Sequence, residues 1–293
     1  MLDNIKPDKL NWKHYFGGFG FLIIALQLIT GLYLIFYYEP SLTGAYKSIQ
    51  YISNQLFLGG LTRNLHRWIA AIMLIAILVH TVRSVLRSDF RNPKKKVVWL
   101  TGVLFLLPIF LFIVTGVIIP WEWKGYWFME MIPNYFEPLP FIGPSLKKFF
   151  FDSYTIPRYY VIHILVLPVI SIILIDYHML TRLRKRGLFR YILKQTIITL
   201  PLIALLFWLA IYMQIPSNDP IDIPMPLEGE WVIGPEWYVL TFLLPLHSEY
   251  IKGIWIPLVS IVSPLIIYFG FAFLPYFVKS SSLDEIELEA VPA

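Results

Sequence analysis

Four histidines occupy two long apolar stretches of the chain: His66 and His80 in one, His163 and His178 in another. The intervals of 14 and 15 residues are about four helical turns, so the two histidines of each stretch lie near one helix face, roughly 21 Å apart along the axis. Imidazole is a common metal ligand. Two facing histidines can fill both axial positions of a haem iron, which then transfers electrons.

The two apolar stretches follow loops on the same side of the predicted bundle and therefore run parallel. This places His66 level with His163, and His80 level with His178. The histidines could instead be polar residues packed at helix interfaces, or part of a proton relay. Four histidines at two matched depths favour ligation, and the sequence predicts two stacked six-coordinate haems. The other two histidines have no such counterparts and are not predicted ligands.

Four glycines repeat the 14-residue interval of the first histidine pair. They are Gly17 and Gly31 in the first apolar stretch, and Gly102 and Gly116 in the third. Glycine lets a backbone approach a flat ring closely, which suits a haem site, although small residues also pack ordinary helix pairs. The repeated interval favours the haem interpretation.

Three arginines flank the histidines at the ends of their helix: Arg63, Arg67 and Arg83. A guanidinium group pairs well with a carboxylate, so these side chains could bind haem propionates. The alternative is that each is an interfacial arginine whose charged end reaches the membrane surface.

The composition indicates the surroundings of these residues. Of 293 residues, 57% are hydrophobic and 15% are charged, and the mean hydropathy is +0.65. Such values are typical of a membrane protein. The chain has no cysteine, which excludes disulfides, iron–sulfur ligation and thioether attachment of haem within it.

Six apolar stretches are long enough to cross a bilayer core of roughly 30 Å as helices. They comprise residues 19–38, 64–86, 97–120, 157–180, 191–215 and 254–278. Only helices and closed barrels satisfy their backbone polar groups in lipid. The sequence therefore predicts an all-α, polytopic transmembrane bundle of about six spans, whose first four enclose the two haems.

Charge is distributed asymmetrically between the two sides of this bundle. The basic side carries Lys6, Lys9, Lys13, Arg83, Arg87, Arg91, Lys94, Lys95, Lys96, Arg182, Arg184, Lys185, Arg186, Arg190 and Lys194. Most acidic residues lie in two long loops on the other side, 121–156 and 216–253. The positive-inside rule places both termini on the cytoplasmic, negative side. This distribution explains the net charge of +5 without nucleic acid as a partner.

Three segments of this chain carry motifs of a known family. RNLHRWIAAIMLIAILVH (63–80), followed by Arg83, resembles the second helix of the cytochrome b family of Rieske/cytochrome b complexes. VTGVIIPWEWKGYWF (114–128) resembles the segment leaving its third helix, and Pro235–Tyr238 is the PEWY signature of its quinol site. A four-letter motif is weak alone, but it is strong between two apolar spans downstream of the histidines.

The interval between His163 and His178 is similar to that of the chloroplast-type branch of the family. In that branch the four-helix subunit and a smaller partner are separate chains, and this chain resembles the two fused together. The resemblance thus implies a di-haem core at residues 1–186 and a two-span region with PEWY at 187–293. Two departures matter. The chain has only two spans after the first four, and Tyr15 or a neighbour replaces the cysteine that anchors an extra haem in that branch. No covalently attached haem is expected.

The resemblance implies a quinol oxidoreductase subunit that works on the acidic side, with quinol or quinone as substrate. Glu236 would accept a quinol proton, and Tyr238 and Tyr126 would shape the pocket together with Pro235 and Trp237. One electron would leave to a Rieske iron–sulfur protein, and the other would cross the membrane through the two b-type haems, coupled to proton translocation.

Further partners implied by the resemblance are a c-type cytochrome or other acceptor, membrane quinone and lipid, and a second copy of the whole complex. The expected location is an energy-transducing membrane, the plasma membrane of a prokaryote. Two alternatives remain open from the residues alone. A di-haem anchor subunit of a dehydrogenase or hydrogenase would explain the histidines but not PEWY, and a transporter or channel would bind no haem.

Overall fold

The fold is known from a computed structural model that describes residues 15–215 and 248–279. Within these ranges every regular element is helical, and six helices are long and apolar enough to span a membrane. Spans 1 to 6 are Tyr15–Ile35, Gly59–Leu86, Pro93–Ile118, Thr155–Leu180, Leu188–Tyr212 and Trp255–Ala272. The predicted all-α, six-span fold is confirmed.

The limits of the helices differ from the hydropathy prediction by several residues. Span 1 begins four residues before the predicted start and ends at Ile35, not at residue 38. Pro40 disfavours helical backbone at the residue before it, and the chain turns here. The hydroxyl of Tyr38 then donates to the carbonyl of Ile119 at 2.6 Å. The apolar run thus extends past the helix because its last residues pack in the loop.

The spans pack as two groups that face each other. Span 1 lies against spans 2 and 5, whereas span 3 lies against spans 4 and 6. Both groups contribute to one apolar core, in which Ile23, Ile69, Ile109 and Ile118 are buried. Outward-facing side chains are apolar too, and Ile29, for example, is 63% exposed. An apolar outer surface is suited to lipid.

Short helices occupy the loops on the acidic side. Ala45–Asn54 connects spans 1 and 2, and Trp123–Met131, Ile132–Tyr135 and Gly143–Phe150 lie between spans 3 and 4. The described basic-side loop between spans 2 and 3 is only a few residues long. Three short helices thus give the long acidic-side loop 121–156 a defined structure, and long loops in compact domains are often functional.

Span 4 departs from regular α-helix at both of its histidines. Two π-helical turns, Ile162–Val166 and Asp176–Leu180, contain His163 and His178. A π-turn takes up one residue more than an α-turn. The π-turns change the helical rotation at the two histidines, and both histidine rings face those of span 2. Pro168 follows the first π-turn closely.

Candidate functional site

The structure brings the four histidines together in two pairs between spans 2 and 4. The ring centres of His66 and His163 lie 6.4 Å apart, with an interplanar angle of 59°. Those of His80 and His178 lie 6.2 Å apart, at 82°. The first pair is near the acidic side and the second near the basic side, which is the pairing expected from matched depth.

Both separations suit a metal ion bound by one ring from each side. Two metal–nitrogen bonds of about 2 Å, with roughly 1 Å from each nitrogen to its ring centre, span about 6 Å. Among the described residues, no group of three or more His, Cys, Asp or Glu side chains could hold a metal. The spacing within each pair fits a metal that takes one ligand from each ring, as in a bis-histidine haem.

Two threonines fix the imidazoles of the acidic-side pair. Thr30 Oγ1 lies 2.9 Å from Nδ1 of His66, and Thr115 Oγ1 lies 2.8 Å from Nδ1 of His163. Each hydroxyl donates its proton to a carbonyl of its own helix, at 3.0 Å to Leu26 and 2.7 Å to Leu111. The hydroxyl oxygen must then accept from Nδ1–H, which leaves Nε2 unprotonated for a metal.

One histidine of the basic-side pair, His178, uses a backbone carbonyl for the same purpose. Nδ1 of His178 lies 2.9 Å from the carbonyl oxygen of Val98. A carbonyl can only accept, so Nδ1 carries the proton and Nε2 is again the available nitrogen. Hydrogen bonding thus favours the tautomer that a haem ligand requires at His178, as it does at His66 and His163.

Each of the four predicted glycines lies against one histidine ring. A Cβ atom would lie 3.1 Å from Cε1 of His80 at Gly17, and 3.2 Å from Cε1 of His66 at Gly31. At Gly116 it would lie 3.2 Å from Cε1 of His163, and at Gly102 only 2.7 Å from Cε1 of His178. The glycines therefore make room for the imidazoles themselves, a closer role than the approach to a porphyrin expected from sequence.

Arg63 and Arg67 share a partner that the sequence analysis did not assign to them. Glu122 forms an ion pair with Arg63 through Oε1, and its Oε2 lies 3.4 Å from Nη1 of Arg67. The Arg63 side chain also donates to Ser53 Oγ at 3.3 Å. Arg83 lies at the opposite end of span 2, half-buried, near the level of His80. Binding of propionates by these arginines stays a prediction.

The predicted quinol-site residues fall on two loops, of which the structure describes one. Tyr126 is half-buried on the helix Trp123–Met131, with its ring centre 5.5 Å from that of Trp121. Burial, and then the neighbouring Glu130, raise the pKa of its hydroxyl. Pro235, Glu236, Trp237 and Tyr238 lie outside the described residues.

Comparison with known proteins agrees with this arrangement. The family model for Cytochrome b/b6/petB matches residues 1–187, which contain spans 1 to 4 and all four histidines. The chain belongs to the cytochrome b/b6 family. Membership in this family implies b-type haems and electron transfer across a membrane. The match ends next to the predicted division at residue 186.

Relatives in the cytochrome b/b6 family include two cytochrome b6 proteins. The protein of Prochlorothrix hollandica is 33% identical over 187 residues, 62% of this chain and 83% of the relative. That of Cyanidium caldarium is 34% identical over 187 residues, 62% of this chain and 86% of the relative. A solved chain described as "Hyperthermophilic respiratory Complex III" has a TM-score of 0.71, at 23% identity. The match covers 93% of this chain and 78% of the solved chain, so the shared fold extends beyond span 4.

Sequence reasoning missed Thr30, Thr115 and Glu122 as functional candidates. A signal for the two threonines was present, because each directly precedes one of the 14-spaced glycines. Thr101 precedes Gly102 in the same way, but its hydroxyl bonds to the carbonyl of Val97 at 2.7 Å. No comparable signal marked Glu122, which resembled any acidic loop residue.

Proposed function

We propose that this chain is the cytochrome b subunit of a quinol-oxidising Rieske/cytochrome b complex, coupled to proton translocation. The observation that carries the proposal is the pair of bis-histidine sites between spans 2 and 4. Their spacing, tautomers and glycine contacts all suit haem. Membership in the cytochrome b/b6 family supports the same conclusion.

In this proposal His66 and His163 hold one b-type haem, and His80 and His178 hold the other. Such a haem would supply a carrier of single electrons. The protein residues keep Nε2 of His66, His163 and His178 unprotonated, exclude water by apolar packing, and present guanidinium groups near the ends of span 2. Arg63 and Arg67 would bind propionates on the acidic side, and Arg83 on the basic side.

Quinol would be oxidised on the acidic side, next to the loop helix that carries Tyr126. Glu236 is the proposed proton acceptor, because the PEWY signature places a carboxyl group in a loop close to apolar lipid. Tyr126 and Tyr238 would line or hydrogen-bond the pocket, with Pro235 and Trp237 beside them. The hydroxyl of Tyr126 is protonated at neutral pH and can donate a hydrogen bond, and burial and then Glu130 raise its pKa further.

The proposed partners are a Rieske iron–sulfur protein and a c-type cytochrome or other acceptor, within a dimer of the whole complex. Membrane quinone and lipid would surround the apolar spans. The basic loops support an orientation with both termini on the negative side of an energy-transducing membrane, such as the plasma membrane of a prokaryote.

The proposal is tested by adding quinol to the purified complex and following haem reduction by absorbance. Glu236→Gln should slow this reduction about a hundredfold, the usual contribution of a positioned base, and leave both haems bound. Glu230→Gln, in the same loop but outside PEWY, should react at the wild-type rate. Equal rates in the two variants would contradict the role of Glu236. Haem that quinol does not reduce would favour a di-haem anchor subunit, and a protein without haem would favour a transporter.

A further inference from the structure

A buried charge cluster lies beside the acidic-side histidine pair. It consists of Glu122 with the two arginines of span 2 that its carboxylate contacts, Arg63 and Arg67. The side chain of Glu122 is 7% exposed, that of Arg63 is 5% and that of Arg67 is 14%. Arg63 stands three residues before His66, and Arg67 directly follows it. Glu122 therefore acts on charges that flank a proposed haem ligand on both sides.

Buried charges are costly unless opposite charges compensate them. The carboxylate of Glu122 contacts both guanidinium groups and offsets one of their two positive charges. It thus lowers the cost of burying the arginines and makes the charge near His66 less positive.

The side chain of Glu122 does not cap the helix that follows it. Glu122 is the N-cap residue of the helix Trp123–Met131, a place where Ser, Thr, Asp or Asn side chains commonly accept from the first backbone N–H groups. Its side chain makes no such cap bond. The carboxylate reaches across to span 2, and Trp121, the residue before it, adopts left-handed backbone at φ 52°. Strained backbone of this kind is typical of functional positions.

We propose that Glu122 is a positioning residue for the acidic-side haem. Its carboxylate holds Arg63 and Arg67 beside the His66–His163 pair and offsets one of their two positive charges. Glu122 thereby makes this haem harder to reduce than the arginines alone would make it. The inference rests on the proposed function, because it assumes that this pair holds a haem.

The test is a potentiometric titration of both haems in the intact complex, with Glu122→Gln as the main variant. The amide keeps the shape of the side chain and removes its charge. At a fixed potential, the ratio of reduced to oxidised acidic-side haem should rise about tenfold. This corresponds to an increase of about 59 mV in the midpoint potential of a one-electron step. The basic-side haem should be unchanged. His80→Ala, which should remove the basic-side haem, assigns the two steps.

Glu137→Gln is the matched control, because it removes the same charge from the same loop. Glu137 is 54% exposed and pairs with Lys147 at 2.9 Å, so water screens its charge. Neither haem should shift in this variant. An unchanged acidic-side haem in Glu122→Gln, or equal shifts of both haems, would overturn the proposal.

A second variant keeps the proposal testable if Glu122→Gln fails to assemble. Glu122→Asp keeps the carboxylate charge on a side chain that is one methylene shorter, so this variant should bind both haems and leave the acidic-side potential close to that of the wild type. Loss of the acidic-side haem from Glu122→Asp would also overturn the proposal. The proposed function fails separately: it fails if the wild-type complex lacks haem or if quinol does not reduce it. The inference fails when the wild-type complex binds haem that quinol reduces, but Glu122→Gln leaves the potential of the acidic-side haem unchanged.

Discussion

Thr115 Oγ1 lies 2.8 Å from Nδ1 of His163, and Thr30 Oγ1 stands in the same relationship to His66 at 2.9 Å. Each threonine lies on the helix that precedes its histidine helix, one residue before a glycine that contacts the same ring. The two helical hairpins, spans 1 and 2 and spans 3 and 4, therefore build the acidic-side site in the same way. No internal repeat was evident from the sequence, since only a few positions carry this similarity.

Replacing Thr115 by valine should weaken the acidic-side site. Valine keeps the volume but cannot accept from Nδ1–H of His163, so the imidazole loses its fixed tautomer and orientation. Loss of such an outer partner commonly weakens metal binding about tenfold or more. We expect lower retention of one haem of the two, measured as haem per chain after detergent washing.

Two variants check that this effect comes from the hydrogen bond. Thr115→Ser retains the hydroxyl and should retain both haems. Thr199→Val removes a buried hydroxyl that bonds to the carbonyl of Gln195 in span 5, and it should leave haem content unchanged. Equal haem loss in the two valine variants would show that the threonine–histidine contact is not responsible.

Replacing Gly102 by alanine should damage the basic-side site selectively. The new Cβ atom would lie 2.7 Å from Cε1 of His178, so the ring or the helix must move. Overpacking of this kind costs about 1–3 kcal/mol. Gly116→Ala, at 3.2 Å from His163, should be milder, and Gly270→Ala, with nothing within 4 Å, should be harmless. The spectrum of the reduced complex measures which haem is lost; full occupancy in Gly102→Ala would contradict the tight fit.

Asp89 should stabilise the basic-side loop between spans 2 and 3. It accepts from Lys95 at 2.6 Å, from Arg87 at 2.7 Å and from Ser84 at 2.9 Å. Burial alone would raise the pKa of its carboxyl, but these three donors outweigh it and lower the pKa below 3.8. The stabilisation is therefore present above about pH 4 and is lost as the pH falls through the lowered value.

The measurement for Asp89 is limited trypsin cleavage of the loop at neutral pH. Asp89→Asn should open the loop by about 1 kcal/mol, the upper range for partly exposed pairs, and speed cleavage about fivefold. Glu137→Gln, which removes an exposed pair elsewhere, should cleave here at the wild-type rate. An unchanged rate in Asp89→Asn would show that the loop does not depend on this carboxylate.

The spans and the pairing of histidines could be predicted because both depend on depth along a helix. Hydropathy sets where a helix crosses the membrane, and a rise of about 1.5 Å per residue then fixes the level of each histidine. The four glycines could be predicted for a similar reason, since they share the 14-residue interval. The groups that the glycine backbones approach could be seen only in the structure. They are the imidazole rings of His66, His80, His163 and His178.

Contacts that depend on helix rotation or loop path could not be predicted. The contact between Thr30 and His66 depends on the rotation of span 1 about its axis. This rotation cannot be predicted from the sequence, because span 1 is apolar on all sides. The π-turns at His163 and His178 leave no mark in the sequence beyond an interval longer by one residue. Glu122 reaches Arg63 through the fold of a loop, 59 residues away in the chain.

The central claim is that His66 pairs with His163, and His80 with His178, on two separate haem irons. Potentiometric titration of the intact complex, followed by reduced-minus-oxidised spectra, tests it most directly. The wild type should show two one-electron b-type steps. His66→Ala and His163→Ala should each abolish the same step, and His80→Ala and His178→Ala the other. Absence of haem bands in the wild type, or loss of different steps in His66→Ala and His163→Ala, would contradict the account.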